Sequence, residues 1–242
     1  MSHEFALVTG GSSGIGAATC EALLDQGYQV VCLARRPYQG RTAEVHNIAL
    51  DLSDAAATHE AAIEAARRFP ITTIVHNAGA IREKPLEEVT PDDLQALTNL
   101  HVAAAISLVQ AALPAMKEQH FGRIVLISSR AALGLAKRTV YSATKAALIG
   151  LTRTWALELG EHGITVNAVA PGPIEATEMF HEIIPQDSPK RSRIAQSIPV
   201  RRLGRPQDVA RAVMFLVAPE AGFITGQTIF VCGGTSVGSI TY

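Results

Sequence analysis

A chain of 242 residues with a formal net charge of −1, 48% hydrophobic and 5% aromatic residues is long enough to bury a sizeable core, as one large domain or two small ones. The near-zero charge gives no electrostatic ground for a nucleic-acid or membrane-surface partner, and no apolar run approaches the roughly 18 residues of a membrane span. Cys20, Cys32 and Cys232 have neither disulfide nor metal-ligand spacing and are read as small core residues; with a strand starting by Phe5, no signal peptide fits, and a reduced cytoplasmic setting is expected.

Residues 5 to 16, FALVTGGSSGIG, are an apolar run followed by glycines and then by the helical pattern of 17 to 26. Strand, glycine-rich turn and helix in that order form a cradle for a dinucleotide pyrophosphate, because glycines let the backbone approach and the helix N-terminus faces the negative charge. Gly10, Ser12, Ser13, Gly14, Ile15 and Gly16 are the candidate contacts. A second strand, 28 to 34, ends in Ala34, Arg35 and Arg36, with Arg41 close behind. An acidic residue there would accept from a ribose 2'-hydroxyl, whereas guanidinium groups suit a 2'-phosphate, so NADP(H) is expected over NAD(H).

A third strand is expected at 47 to 52, then a helix from 54 to 69 capped by Ser53 or Asp54. A fourth strand at 73 to 76 runs into Asn77, Ala78 and Gly79. Thr90-Pro91-Asp92-Asp93 opens a long helix with a cap, a proline at its first position and acids in its first turn. Asn99 and His101 lie within that helix, and His101 is read as packing.

The stretch from Ser128 to Lys145 carries the chemistry. RIVLISS reads as a buried strand ending in two hydroxyls, at the end of the sheet where open α/β folds bind ligands. Tyr141 and Lys145, four apart on a helix, share one face. A lysine cation roughly 5 Å from a phenol, at an effective dielectric near 20, favours phenolate by about 3 kcal/mol, or roughly 2 pK units. That would bring Tyr141 towards the range useful for general acid–base work, with Ser128 or Ser129 hydrogen-bonding the oxygen on which charge develops. Beyond it come a strand at 164 to 170, Pro171-Gly172, and a stretch from 175 to 205 that breaks every periodicity. Such a length without regular structure marks a functional lid over a substrate pocket. Its basic residues Lys190, Arg191, Arg193, Arg201 and Arg202 either meet an anionic substrate or carrier or form a solvated face. A helix from 206 and a strand at 226 to 231 close the chain. No His/Cys/Asp cluster calls for a metal.

TGxxxGIG, His76-Asn77-Ala78-Gly79, Asn99, Ser129, YxxxK at 141 to 145 and Pro171-Gly172 together resemble the short-chain dehydrogenase/reductase family, from Phe5 to about Gly234, and the ending ITGQTIFVCGG is most similar to its 3-oxoacyl-carrier-protein reductase branch. The resemblance implies one α/β domain, residues 1–242: a Rossmann-type, doubly wound parallel sheet of about seven strands flanked by helices. It implies a catalytic set of Asn99, Ser129, Tyr141 and Lys145, with Asn99 holding a water in a proton relay. Ser128 lies at the commonest interval before the tyrosine, but alignment from the strand selects Ser129, with Ser128 as the alternative. Asp51 and Leu52 would flank the adenine, Asn77, Ala78 and Gly79 would line the cofactor, and Lys145 would bind its ribose. Pro171, Gly172, Ile174 and Thr177 would surround the nicotinamide. The family usually has asparagine at His76, which puts one structural hydrogen bond in question.

The implied reaction is hydride transfer between a nicotinamide and a ketone or secondary alcohol, on a small-molecule substrate such as a 3-oxoacyl thioester. Its rivals are an NAD-linked alcohol, sugar or polyol dehydrogenase and a non-catalytic dinucleotide-binding regulatory protein. A homotetramer or homodimer packed through helices 91 to 119 and 140 to 160 is also implied.

Overall fold

The computed structural model describes residues 4–41, 43–175, 185 and 188–237. Seven parallel strands, β1 (Phe5–Thr9), β2 (Gln29–Ala34), β3 (Val45–Ala49), β4 (Ile71–His76), β5 (Gly122–Ile127), β6 (Ile164–Pro171) and β7 (Thr228–Val231), lie in the order β3-β2-β1-β4-β5-β6-β7. The strands are continuous apolar runs because both faces of the sheet are covered. Alternation along β1 sends Ala6 and Val8 to one face and Leu7 to the other. The first face packs on α1 (Gly14–Asp25) and α7 (Pro206–Val217) through Cys20, Leu23, Val209 and Val213. The second packs on α2 (Ala55–Arg68), α4 (Ala104–Glu118) and α5 (Thr139–Leu159) through Ala62, Leu108, Met116 and Leu148. Each such fully buried aliphatic side chain contributes about 1.5–3 kcal/mol.

Helix α2 starts where Asp54 accepts from the Ala57 N–H at 3.0 Å. Helix α3 (Pro91–Thr98) opens on a reciprocal capping box between Thr90 and Asp93. Three expectations about individual elements need correction. The third strand lies at 45–49 rather than 47–52, because Val45 is the buried residue that pairs with Val30, while Asp51 and Leu52 have left the sheet. The long helix after Pro91 is not uniform: Asn99–Ala103 forms a π turn between α3 and α4. The stretch from 175 to 205 holds a helix, α6 (Lys190–Ser197), whose polar composition hid its periodicity.

Among the described residues one helical run, Pro91–Glu118, is long and apolar enough to cross a membrane by length and composition, contrary to the expectation that none reaches that length. Its buried residues Ala105, Leu108, Ala112 and Met116 pack on Ile74 and Ile124 of the sheet, the environment of a core helix.

Candidate active site

Connections leave β1 and β4 in opposite directions across the sheet, and the crevice this opens at the carboxyl ends of the strands is where such folds take ligands. A cavity of about 950 Å³ occupies it. On one side lies the glycine turn. Gly10 has φ +64°, which favours glycine, and a Cβ on Gly16 would collide with the Gly10 carbonyl, so α1 enters flush against the turn. Asn77 locks the turn to β4 by donating from Nδ2 to the carbonyls of Thr9 (3.1 Å) and Gly10 (3.3 Å). Ser12, Ser13, Gly14 and Ile15 line the cavity. This cradle fits a pyrophosphate: backbone without side-chain obstruction, at a helix N-terminus.

Arg35 and Arg36 line the same end, while Arg41 turns away to Asp25 at 2.6 Å. Asp51 and Leu52 face the cavity opposite them. The Asp51 carboxyl accepts from the backbone N–H and the hydroxyl of Ser53, and these bonds, with the charge of Arg35, hold it below the usual carboxylate range.

At the other end β5 delivers two serines with different fates. Ser128 is buried and its hydroxyl donates to the Lys145 carbonyl at 2.7 Å. Ser129 begins a short 3-10 turn, accepts from the Ala131 N–H at 3.1 Å, and lies against the phenol of Tyr141 in the cavity wall. Lys145 is buried, donates from Nζ to the Ile127 carbonyl at 2.8 Å, and sits 5.7 Å from the centre of the Tyr141 ring. Burial pushes the Tyr141 phenol up, opposed by the Ser129 hydrogen bond and the charge of Arg138. Burial also pushes Lys145 down to about 7. The expected pull of Lys145 on the phenol is therefore not the leading influence here: desolvation acts on both groups, and Ser129 and Arg138 are the ones that favour phenolate.

Asn99 stands apart from this cluster. Its side chain donates to the Ser53 carbonyl at 3.1 Å and accepts from Gln95 at 2.7 Å, so the amide ties the π turn to the loop after β3. The residue that approaches the lysine is His101, two positions on, which was expected only to pack. A Cβ added to Gly79 would lie 3.1 Å from His101 Nε2 and 3.3 Å from Lys145 Nζ. His101 also meets the Tyr141 ring edge-on at 5.8 Å between centroids.

The hydrogen bonds of His101 and His76 fix their tautomers. The Thr9 hydroxyl accepts from the N–H groups of Asn77 and Ala78 (2.9 Å each), so it donates to His76 Nδ1 at 3.1 Å. His76 Nε2 then donates to the His101 carbonyl at 3.0 Å. His101 Nε2 accepts from the Ala80 N–H at 3.3 Å, so Nδ1 donates to Thr144 Oγ1 at 2.8 Å. One chain of bonds thus joins β1, the loop after β4, the π turn and α5. His76 makes two good bonds where the family carries asparagine. Both imidazoles are held neutral, chiefly by burial and next by the Lys145 charge, His76 at about 3 and His101 well below its ordinary value. The sequence signal for His101 was its place in the segment that also holds Asn99.

Pro171, Gly172 and Ile174 line the cavity after β6, and Gly172 is fitted against Cys232, where a Cβ would come within 2.8 Å of Cys232 Cα. Thr177 lies outside the described residues. Helix α6 contributes Ile194 and Ser197 to the wall. Of the basic residues of that stretch, Arg191 pairs with Glu175 and Arg202 with Asp208. Among the described residues no group of three or more His, Cys, Asp or Glu could hold a metal.

The family model described as enoyl-(acyl carrier protein) reductase matches residues 10–236. Acetoacetyl-CoA reductase of Shinella zoogloeoides is 39% identical, the alignment covering 95% of this chain and 97% of that protein. The 3-oxoacyl-[acyl-carrier-protein] reductase of Vibrio harveyi is 34% identical over 97% of this chain and 98% of its own. The crystal structure of a 3-oxoacyl (acyl-carrier-protein) reductase from Agrobacterium tumefaciens C58 with NADP bound superposes with a TM-score of 0.87 at 31% identity, covering 95% of this chain and 93% of that one. Matched along nearly its whole length in sequence and in fold, the chain belongs to the short-chain dehydrogenase/reductase family of oxidoreductases.

Proposed function

We propose that this protein is an NADPH-dependent carbonyl reductase whose substrate is a 3-oxoacyl thioester. The observation that carries the reading is a single cavity with a glycine cradle and Arg35 at one end and Ser129, Tyr141 and Lys145 at the other. The acetoacetyl-CoA and 3-oxoacyl reductases among its relatives support the thioester, and the NADP-bound neighbour supports the cofactor.

When bound, the nicotinamide dinucleotide supplies the hydride. Gly10 to Gly16 would hold its pyrophosphate and Arg35 its 2'-phosphate, Asp51 and Leu52 the adenine, and Asn77, Ala78, Gly79, Pro171, Gly172 and Ile174 the nicotinamide side, with Thr177 expected there too. Tyr141 donates its proton to the carbonyl oxygen as that oxygen gains charge. Ser129 is the oxygen's second hydrogen-bond donor, a role Ser128 cannot take while its hydroxyl is bonded to Lys145. Lys145 supplies positive charge behind the phenol, and Asn99 anchors the relay through the π turn it begins. We further assign the single domain a substrate-pocket segment at 175–205, a cytoplasmic setting and a homo-oligomeric state.

Initial rates with acetoacetyl-CoA test the reading directly. NADPH is expected to support turnover at least about tenfold better than NADH, since a charged hydrogen bond to the 2'-phosphate is worth about 1.5–3 kcal/mol. Arg35→Asp should reverse that preference. An NADPH/NADH ratio unmoved by the substitution would remove Arg35 from the phosphate site.

A further inference from the structure

The charged residues of the cavity wall are distributed unevenly. Asp51, at the adenine end, is the one carboxylate among the described lining residues, whereas the reactive end carries Arg82, Arg130 and Arg138 besides Lys145. A chain of net charge −1 has thus gathered three guanidinium groups around the space where the substrate must lie. Two of them are fixed from behind. Arg82 pairs with Asp93 at 2.8 Å and Arg138 with Glu83 at 2.7 Å, and neither carboxylate reaches the cavity lining. The segment carrying Arg82 is pinned to the start of α5 by the Lys84 N–H donating to the Lys137 carbonyl at 3.1 Å.

Arg138 is buried, yet only two of its five N–H groups are engaged among the described residues, one by Glu83 and one by the Lys137 carbonyl. Arg130, next to Ser129 and half-buried in the wall, makes no ion pair among the described residues. Guanidinium groups that line a cavity with N–H groups to spare suit an anionic ligand, because a charged acceptor in that space can take donors the protein leaves open.

Resting on the reductase reading above, we propose that Arg130 and Arg138 form an anion subsite beside Tyr141, and that the physiological 3-oxoacyl thioester carries a carboxylate on its acyl portion, close to the carbonyl that is reduced. Arg138 stands three residues before Tyr141 and, with Arg130 next to Ser129, lines the same cavity as the phenol, so an anion bound there lies beside the carbonyl that is reduced. That position suits a carboxylate on the acyl portion and not the distant phosphates of a thioester carrier.

The test compares 4-oxopentanoate with its methyl ester, by kcat/KM with NADPH and by calorimetric titration of the protein saturated with NADP⁺, in wild type and in Arg130→Met. Because Arg130 makes no ion pair among the described residues, its substitution leaves no partner there without its charge; Arg138→Lys, which retains a cation opposite Glu83, is the second variant. The acid should be preferred over the ester by about tenfold or more in wild type, and the preference should collapse by about that factor in Arg130→Met. Equal binding of acid and ester, or a preference that survives Arg130→Met, overturns the subsite. So does a loss confined to acetoacetyl-CoA relative to acetoacetyl-pantetheine, which would assign the arginines to a carrier phosphate. Acid-selective binding without any turnover would instead count against the reductase reading and leave the subsite standing.

Discussion

Lys145 is the residue at which stability and chemistry conflict most directly. Its amine is buried with one carbonyl partner and is pushed from an ordinary 10.5 to about 7. The unfolded chain therefore holds more protons between those values. The stability deficit is full below about pH 7 and is relieved as pH rises towards 10.5. A shift of this size corresponds to several kcal/mol, more than the single bond to Ile127 returns. Lys145→Met should accordingly raise Tm at pH 7 by several degrees, at about 2–4 °C per kcal/mol for a domain of this size, while removing turnover. Tyr141→Phe should also lose most turnover but keep its cofactor affinity and a nearly native Tm. A lower Tm for Lys145→Met would mean that the amine is held by more than the structure displays. Active-site groups retained against stability are a recurrent pattern, and the pair of variants separates that cost from the loss of a proton donor.

Among the elements, the π turn at Asn99–Ala103 is the one that joins the rest. It carries Asn99 outwards to Ser53 and His101 inwards to Thr144, and it receives the bond from His76. Both histidines are neutral when folded and ordinary at 6.5 when unfolded. Their contribution is complete above about pH 6.5 and is lost as pH falls towards the folded values, at about 1.4 kcal/mol per pH unit for each. Denaturant midpoints measured from pH 6.5 to 5, above the range where carboxylates titrate, should fall steeply in wild type and about half as steeply in His76→Asn. Equal slopes would show that the buried histidines take up no protons on unfolding. Little of this network could be read in the sequence. The glycine turn, the YxxxK spacing and the capped helix at Thr90 are local patterns and were legible. His76, His101, Thr9 and Thr144 are neighbours only after β1, β4 and α5 have packed, and an asparagine or histidine on a helix has no preferred direction until they do. Helix α6 escaped for a different reason, since KRSRIAQS has too few apolar residues to show a face.

Across the whole molecule several apolar side chains are exposed, and two groups of them lie on opposite sides of the sheet. Leu157 on α5 is 87% exposed, and on the opposite side of the sheet Phe215 of α7 is 54% exposed with Phe223 fully so. A self-complementary contact through one surface closes a two-fold dimer, and two different two-fold surfaces on one subunit close a tetramer with dihedral symmetry. The expectation from the resemblance involved only the long helices; the second surface argues for four copies over two. Light scattering should then give four times the 25.7 kDa chain mass. Leu157→Glu and Phe223→Glu should each reduce it to twice that mass, and the double variant to a single chain, because a buried unpaired carboxylate is strongly unfavourable. A dimer in wild type that Leu157→Glu dissociates and Phe223→Glu leaves intact would confine assembly to α5. The exposed phenylalanines would then need another explanation.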